Sequence, residues 1–260
     1  MGAFLMESNN PMSTQQEDTH VHHGLSIGLF YCDALEDIQY NGAKILKSLQ
    51  EMGAVFFHPA LVDGPFTPPL LEDPTAELKA GRMAAPIDFT HESIEPLVRG
   101  DYIRWGFLGS VFTPGFRRSL LISCLGFRDD RVEDFPAAMH ELSSGRVKFM
   151  KQLIVRLKPR FAYVDEVFDD KLRDKVLQDA GTRLLFWTTY FGPAYVEKHG
   201  KEFFLQAPAW KTEEFEGGVI VTATEQFLDF VAHSPDELLK YFSAKFPRIK
   251  ANRFTIPAWF

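Results

Sequence analysis

Cysteine is nearly absent from this 260-residue chain, which holds only Cys32 and Cys124. Two thiols exclude a disulfide scaffold. Each lies in an apolar run, SIGLFYC and LLISCLGF, where a thiol acts as a small hydrophobe. Both are expected to be reduced and buried in a reducing compartment. Long hydrophobic runs are missing as well. No apolar stretch reaches the roughly 18–20 residues of a membrane span. The opening MGAFLMESNN has no basic region and too short an apolar core for a signal peptide. Met1-Gly2 opens as a myristoylation site does, but Met6 stands where Ser or Thr is required. Together these absences place the expected protein in the cytoplasm, off the membrane. Positive charge is in deficit, with 28 Lys and Arg against 35 Asp and Glu, a formal charge of -7. Such a surface repels phosphate backbones and disfavours nucleic acid. It favours encounter with a basic protein, or simply keeps the chain in solution.

Catalytic signatures are absent too. Ser110, Ser123 and Ser143 have no Gly-x-Ser-x-Gly frame. Gly217-Gly218 is followed by no Lys and no long helix, so it is not a phosphate loop. The turn after Cys32, Asp33-Ala34-Leu35-Glu36, lacks the glycines of a doubly wound nucleotide fold. His20, His22 and His23 in THVHHG have ligand chemistry, but a closed metal site needs three or four convergent donors. His58, His91, His140, His199 and His233 supply no ligand-like neighbour at a strand end. No catalytic residue, cofactor or metal is assigned.

What is present is core-forming material. Apolar residues make up 45% of the chain, and Phe occurs 25 times, which points to thick aromatic layers. Residues 1–24 read as a loose polar tail, and 25–260 as a single domain, with two similar halves at 25–127 and 128–260 as the variant reading. The spacing predicts a strand over Leu25–Cys32, then a helix carrying Leu35, Ile38, Ile45, Leu49 and Met52 up to Gly53, then a strand over Ala54–Phe57. Pro59–Pro96 is a proline-rich stretch, read as an arm wrapped across the sheet in preference to a contact loop. Asp101–Phe116 is aromatic and Gly-rich and receives no assignment. Strands follow at Arg118–Phe127 and Phe161–Val167, with a helix from Asp134 to Pro159 between them that Ser143-Ser144-Gly145 breaks or kinks.

Asp169–Gln178 reads as a short helix. Thr182–Phe191, with six apolar residues in ten, reads as one central strand buried on both faces. Pro193 opens a helix that Gly200 interrupts, and a hairpin turns at Glu216-Gly217-Gly218. A last helix takes Ser234 as cap, Pro235 at its first position and Glu237 as the capping-box partner. This order predicts an α+β fold: a mixed, mostly antiparallel sheet flanked by helices, with a β-α-β opening and a long Pro-rich arm.

Two acidic groups are the candidate partner-binding residues. One is Asp165, Glu166, Asp169 and Asp170 in VDEVFDD. A divalent-ion or acid–base role there is disfavoured, because neighbouring strand residues point to opposite faces. The other is Glu213, Glu214 and Glu216 beside the hairpin turn. The aromatic run YFGPAY reads as structural: Gly192 allows a corner, Pro193 starts a helix and the rings fill the core below.

From Tyr190 to Thr224, YFGPAYVEKHGKEFFLQAPAWKTEEFEGGVIVTAT, the chain resembles bacterial proteins of the immunity protein 52 group. The likeness covers roughly the last third and consists of a Phe-Gly-Pro corner, a short helix ending in Gly, an Ala-Pro stretch and a Gly-Gly strand. It is architectural and transfers no catalytic residue. It implies a non-enzymatic immunity protein that binds and neutralises a cognate toxin, and the acidic balance suits a basic toxin. The competing expectation is an enzyme or small-molecule binder with a pocket under the Pro-rich arm near His58 or His91. A scaffold role in a larger assembly is a third.

Overall fold

The computed structural model describes residues 22–23, 25–30, 46–57, 72–73, 76, 87–90, 107–110, 119–123, 127–128, 135–166 and 184–251. Its strands are β1 (His22–His23), β2 (Leu25–Phe30), β3 (Val55–Phe57), β4 (Ile87–Thr90), β5 (Phe107–Ser110), β6 (Ser119–Ser123) and β7 (Phe127–Arg128), followed by β8 (Phe161–Glu166), β9 (Leu184–Leu185), β10 (Thr188–Phe191), β11 (Lys211–Phe215), β12 (Gly218–Thr222) and β13 (Lys250–Ala251). Residues 46–51 are helical. The longer helical elements are α1 (Phe135–Leu157), α2 (Pro193–His199), α3 (Lys201–Leu205), α4 (Phe227–Ala232) and α5 (Asp236–Ser243).

Nine strands form one sheet in the order β11-β12-β10-β8-β2-β6-β5-β4-β3. Every neighbouring pair in it is antiparallel. The parallel component is the separate β13–β9 pair, and β1 with β7 makes another small antiparallel sheet. This is the α+β arrangement expected from the sequence. The β-α-β opening is present as β2, helical residues 46–51 and β3, but β2 sits in the middle of the sheet and β3 at its edge. The intervening places are filled by β4, β5 and β6, which return to β2 as an antiparallel meander. Strands from both sides of residue 128 share the sheet, since β8 pairs with β2.

Alternation along the central strands builds two cores. On β8, Ala162 and Val164 face one way and Phe161 and Tyr163 the other. On β10, Tyr190 and Phe191 divide in the same manner, as do Ile220 and Val219 on β12. The first face is covered by α1, α4 and residues 46–56. The buried stripe of α1 runs through Met139, Leu142, Phe149, Leu153 and Leu157, at the spacing that predicted the helix. The second face carries α2, α3 and α5, with Phe191 stacked on Phe204 at 4.6 Å and on Phe242 at 5.4 Å. With helices on both faces, β8, β10 and β12 have no solvated side. That explains their near-continuous apolar runs.

Several expectations are corrected. Helix α1 continues through Ser143-Ser144-Gly145 without a break. Ser143 is buried there, and its hydroxyl donates to the His140 carbonyl at 2.9 Å, an accommodation inside the helix. The expected single strand at Thr182–Phe191 is two, β9 and β10, in different sheets. Arg118–Phe127 is likewise divided into β6 and β7, because β7 leaves to pair with β1. The Pro-rich stretch contains a sheet strand, β4. His22 and His23, assigned to the tail, pair with β7. Helix α5 begins one residue later than expected, with Pro235 at the cap position and no side-chain cap bond, so Ser234 and Glu237 form no capping box. Helix α4 was not read from the sequence. Cys32, Cys124, the expected Asp169–Gln178 helix and most of Pro59–Pro96 lie outside the described residues.

The Phe-Gly-Pro corner and the Gly-Gly strand start have one physical basis, close backbone approach. The Gly192 N–H donates to the Arg160 carbonyl at 2.9 Å, and a Cβ on Gly192 would stand 2.5 Å from that oxygen. A Cβ on Gly218 would meet the Phe191 carbonyl and come within 2.6 Å of the Tyr190 ring. Backbone cannot yield as a flexible side chain can. Gly192→Ala and Gly218→Ala are each expected to destabilise the protein by about 1–3 kcal/mol or more, the cost of overpacking a tight core. Urea unfolding midpoints measure it; a loss below roughly 0.5 kcal/mol, the size of an ordinary surface effect, contradicts the close-approach account.

Candidate functional site

The hairpin β11–β12 is the candidate surface. Its turn is Glu216-Gly217, with both residues at positive φ, 48° and 73°. This is the two-residue turn whose twist matches flanking strands. The register runs from Phe215↔Gly218 to Lys211↔Thr222. Strand β12 is buried throughout, while β11 is the sheet edge, with Lys211 and Glu214 exposed and Thr212, Glu213 and Phe215 half-buried.

The three glutamates do different things. Glu213 points to the α1 side, where its carboxylate meets Lys151 at 2.6 Å and Lys211 at 3.8 Å. Lys151 also lies 5.6 Å from the centroid of the Phe215 ring. Glu214 points to the opposite side and pairs with Lys201 of α3 at 3.0 Å. On that side the Thr212 hydroxyl donates to the Leu205 carbonyl at 2.9 Å. The edge strand is therefore braced to a helix on each face. Glu214 remains 58% exposed, against 27% for Glu213. Glu216, at the turn, is exposed. Trp210, just before β11, is 53% exposed, a rare setting for so large an aromatic. The sequence reading did not single it out; the apolar-to-charged transition APAWKTEE was its only signal.

The first acidic group is arranged otherwise. Asp165 is only 2% exposed, and its carboxylate accepts the Trp187 N–H at 2.9 Å. Trp187 lies at the break between β9 and β10, where the chain leaves one sheet for another. Beside it, the Thr189 hydroxyl accepts from the Phe186 N–H at 3.3 Å and stands 3.2 Å from the Phe186 carbonyl. Asp165 is thus a structural acceptor in the core. Glu166 ends β8, and Asp169 and Asp170 lie outside the described residues. The structure does not bring Asp165 together with the hairpin glutamates on one surface.

Among the described residues, no group of three or more His, Cys, Asp or Glu could hold a metal ion. His20, His58 and His91 lie outside them. His199 packs edge-on to Phe246 at 4.7 Å, and burial, with Lys198 and Lys245 nearby, holds its pKa below the usual 6.5. Among the described residues, no helix is long and apolar enough to cross a membrane.

Two predictions follow from these contacts. Asp165→Ala strips the Trp187 N–H of its buried acceptor and is expected to cost about 1–3 kcal/mol, read from chemical denaturation; an unchanged midpoint contradicts the structural role. Tyr190, whose hydroxyl donates to the Glu216 carbonyl at 3.4 Å, is pushed up from 10.0 to about 12 by burial and then by the Glu216 charge. The folded state therefore favours the neutral phenol. Its stabilising contribution is complete below pH 10 and is lost as pH rises through about 12. Tyr190→Phe should remove one late tyrosinate step from the ultraviolet titration.

No family model matches the chain, and no curated protein matches it. Among solved structures it is similar to a chain described as "Pseudomonas aeruginosa T6SS protein PA0821". The two are 10% identical with a TM-score of 0.43, over 88% of this chain and 73% of that one.

Proposed function

We propose that this chain is a non-enzymatic immunity protein, similar to the immunity protein 52 group, that binds and neutralises a cognate bacterial toxin in the cytoplasm. In this reading, residues 25–260 act as a single α+β domain whose business is to hold a binding surface still. The observation that carries the proposal is the hairpin end. Exposed Glu214 lies on a strand braced to a helix on each face, with exposed Trp210 just before that strand and exposed Glu216 in the turn after it. Large aromatics beside exposed charge are the usual anchors of protein interfaces. The formal charge of -7 favours a basic partner.

Of the acidic residues read from the sequence, Glu216 is assigned to the partner, and so is Glu214, which keeps its pairing with Lys201 while 58% exposed. Glu213 belongs to the brace, and Asp165 to the core. Glu166, Asp169 and Asp170 stay with the proposal only as sequence candidates. The enzyme alternative rests on His58 and His91, which lie outside the described residues.

The reading requires a toxin gene beside this one, and the product of that gene supplies the test. The purified chain should co-purify with it and abolish its activity at molar excess. Trp210→Ala and Glu216→Lys should each weaken the complex by at least about tenfold with unchanged unfolding midpoints. Full toxin activity in the presence of excess protein sinks the proposal.

A further inference from the structure

The outward backbone of β11 can be worked out from the ladder. The two-residue turn Glu216-Gly217 closes on the pair Phe215↔Gly218, and the Gly192 N–H donates to Arg160, which turns even positions of β10 toward β8 and odd ones toward β12. Odd positions of β12 therefore bond to β10 and even positions to β11. In the observed register the partners of Gly218, Ile220 and Thr222 are Phe215, Glu213 and Lys211. Those three residues direct their N–H and C=O groups inward, which leaves the groups of Thr212 and Glu214 directed out of the sheet.

Charges usually guard such an edge against added strands. Here the guard is self-complementary. Pairing with a second copy about a two-fold axis must match outward residues with outward residues. Centring the axis on Glu214 opposes two carboxylates, and so does centring it on Glu213; centring on Lys211 opposes two ammonium groups. Like charges directly opposite are destabilising. Only the axis at Thr212 sets Lys211 of each copy against Glu213 of the other. The groups concerned are half engaged already. Lys211 Nζ stands 3.8 Å from its own Glu213 Oε2, beyond hydrogen-bond reach, while Glu213 Oε1 is held by Lys151 at 2.6 Å.

We propose that the β11 edge docks a second copy of this chain, antiparallel and centred on Thr212, joining two sheets into one. Each Lys211 then exchanges its loose 3.8 Å approach to its own Glu213 Oε2 for that oxygen of the opposite Glu213. Trp210, whose N–H is turned inward to the Ala223 carbonyl at 3.2 Å, lies across from Glu214 of the second copy, so dimer pairing and toxin capture at these two residues exclude each other; both turns with Glu216 remain outside the pairing. A contact built on one short strand belongs to the weak end of interfaces, so the dimer forms with rising concentration. The inference stands on the fold and does not use the toxin reading; its test needs only the purified chain.

Sedimentation equilibrium over a wide concentration range should show the mass rising from one chain toward two, less so at high salt. Lys211→Glu opposes carboxylates across the axis. Thr212→Pro removes the outward N–H at the axis together with the hydroxyl bond to Leu205 and leaves the β12 bonds in place. Each should weaken association by at least about tenfold while circular dichroism stays that of the parent. A mass of one chain at every concentration, or dimers of both variants as tight as the parent's, overturns the proposal.

Discussion

The hydrogen bond from the Trp187 N–H to the Asp165 carboxylate holds the joint on which the C-terminal half is built. At that point the chain leaves the small β9–β13 sheet and enters the large one as β10. A backbone that changes sheets leaves polar groups that neither ladder can satisfy, and burying them without partners is costly. Asp165 takes one, and the Thr189 hydroxyl serves Phe186. With the joint held, β10 lies between β8 and β12 and divides Tyr190 and Phe191 between the two cores. The aromatic stack of Phe191 with α3 and α5 then follows.

The same logic separates acids that hold the fold from acids that face outward. Glu213 and Glu214 differ by one position, hence by face, and each finds a lysine on the helix covering its side. Exposed pairs of this kind contribute little stability singly. Their effect is to fix the orientation of the edge strand, so that Trp210 and the turn occupy defined places. An acidic stretch in sequence has thus become two braces and one free carboxylate, and the local charge at the edge is far more balanced than the composition implies.

Much of the architecture was legible where local physics decides. Helix α1 follows from its apolar spacing, the β11–β12 hairpin from Gly217 beside Glu216, and the broken α2–α3 pair from Gly200 at φ 88°. The buried run before the Phe-Gly-Pro corner correctly implied burial on both faces. It did not reveal the division into β9 and β10, since Asp165, which takes the Trp187 N–H at the break, acts from 22 residues away. Ser234 met the local rule for a cap, yet Pro235 occupies that position. The strand Ile87–Thr90 was obscured by the prolines around it, because its partners β3 and β5 are distant in sequence.

The sequence by itself determined the α+β character, the aromatic-rich core material, the corner and turn glycines and the acidic balance. All of these depend on period, local backbone freedom or composition. Only the tertiary structure decided the strand order, with β2 central and β11 and β3 at the edges. It alone decided which carboxylates reach solvent. Strand neighbours and salt-bridge partners are chosen by packing between distant segments, and no local rule encodes that choice.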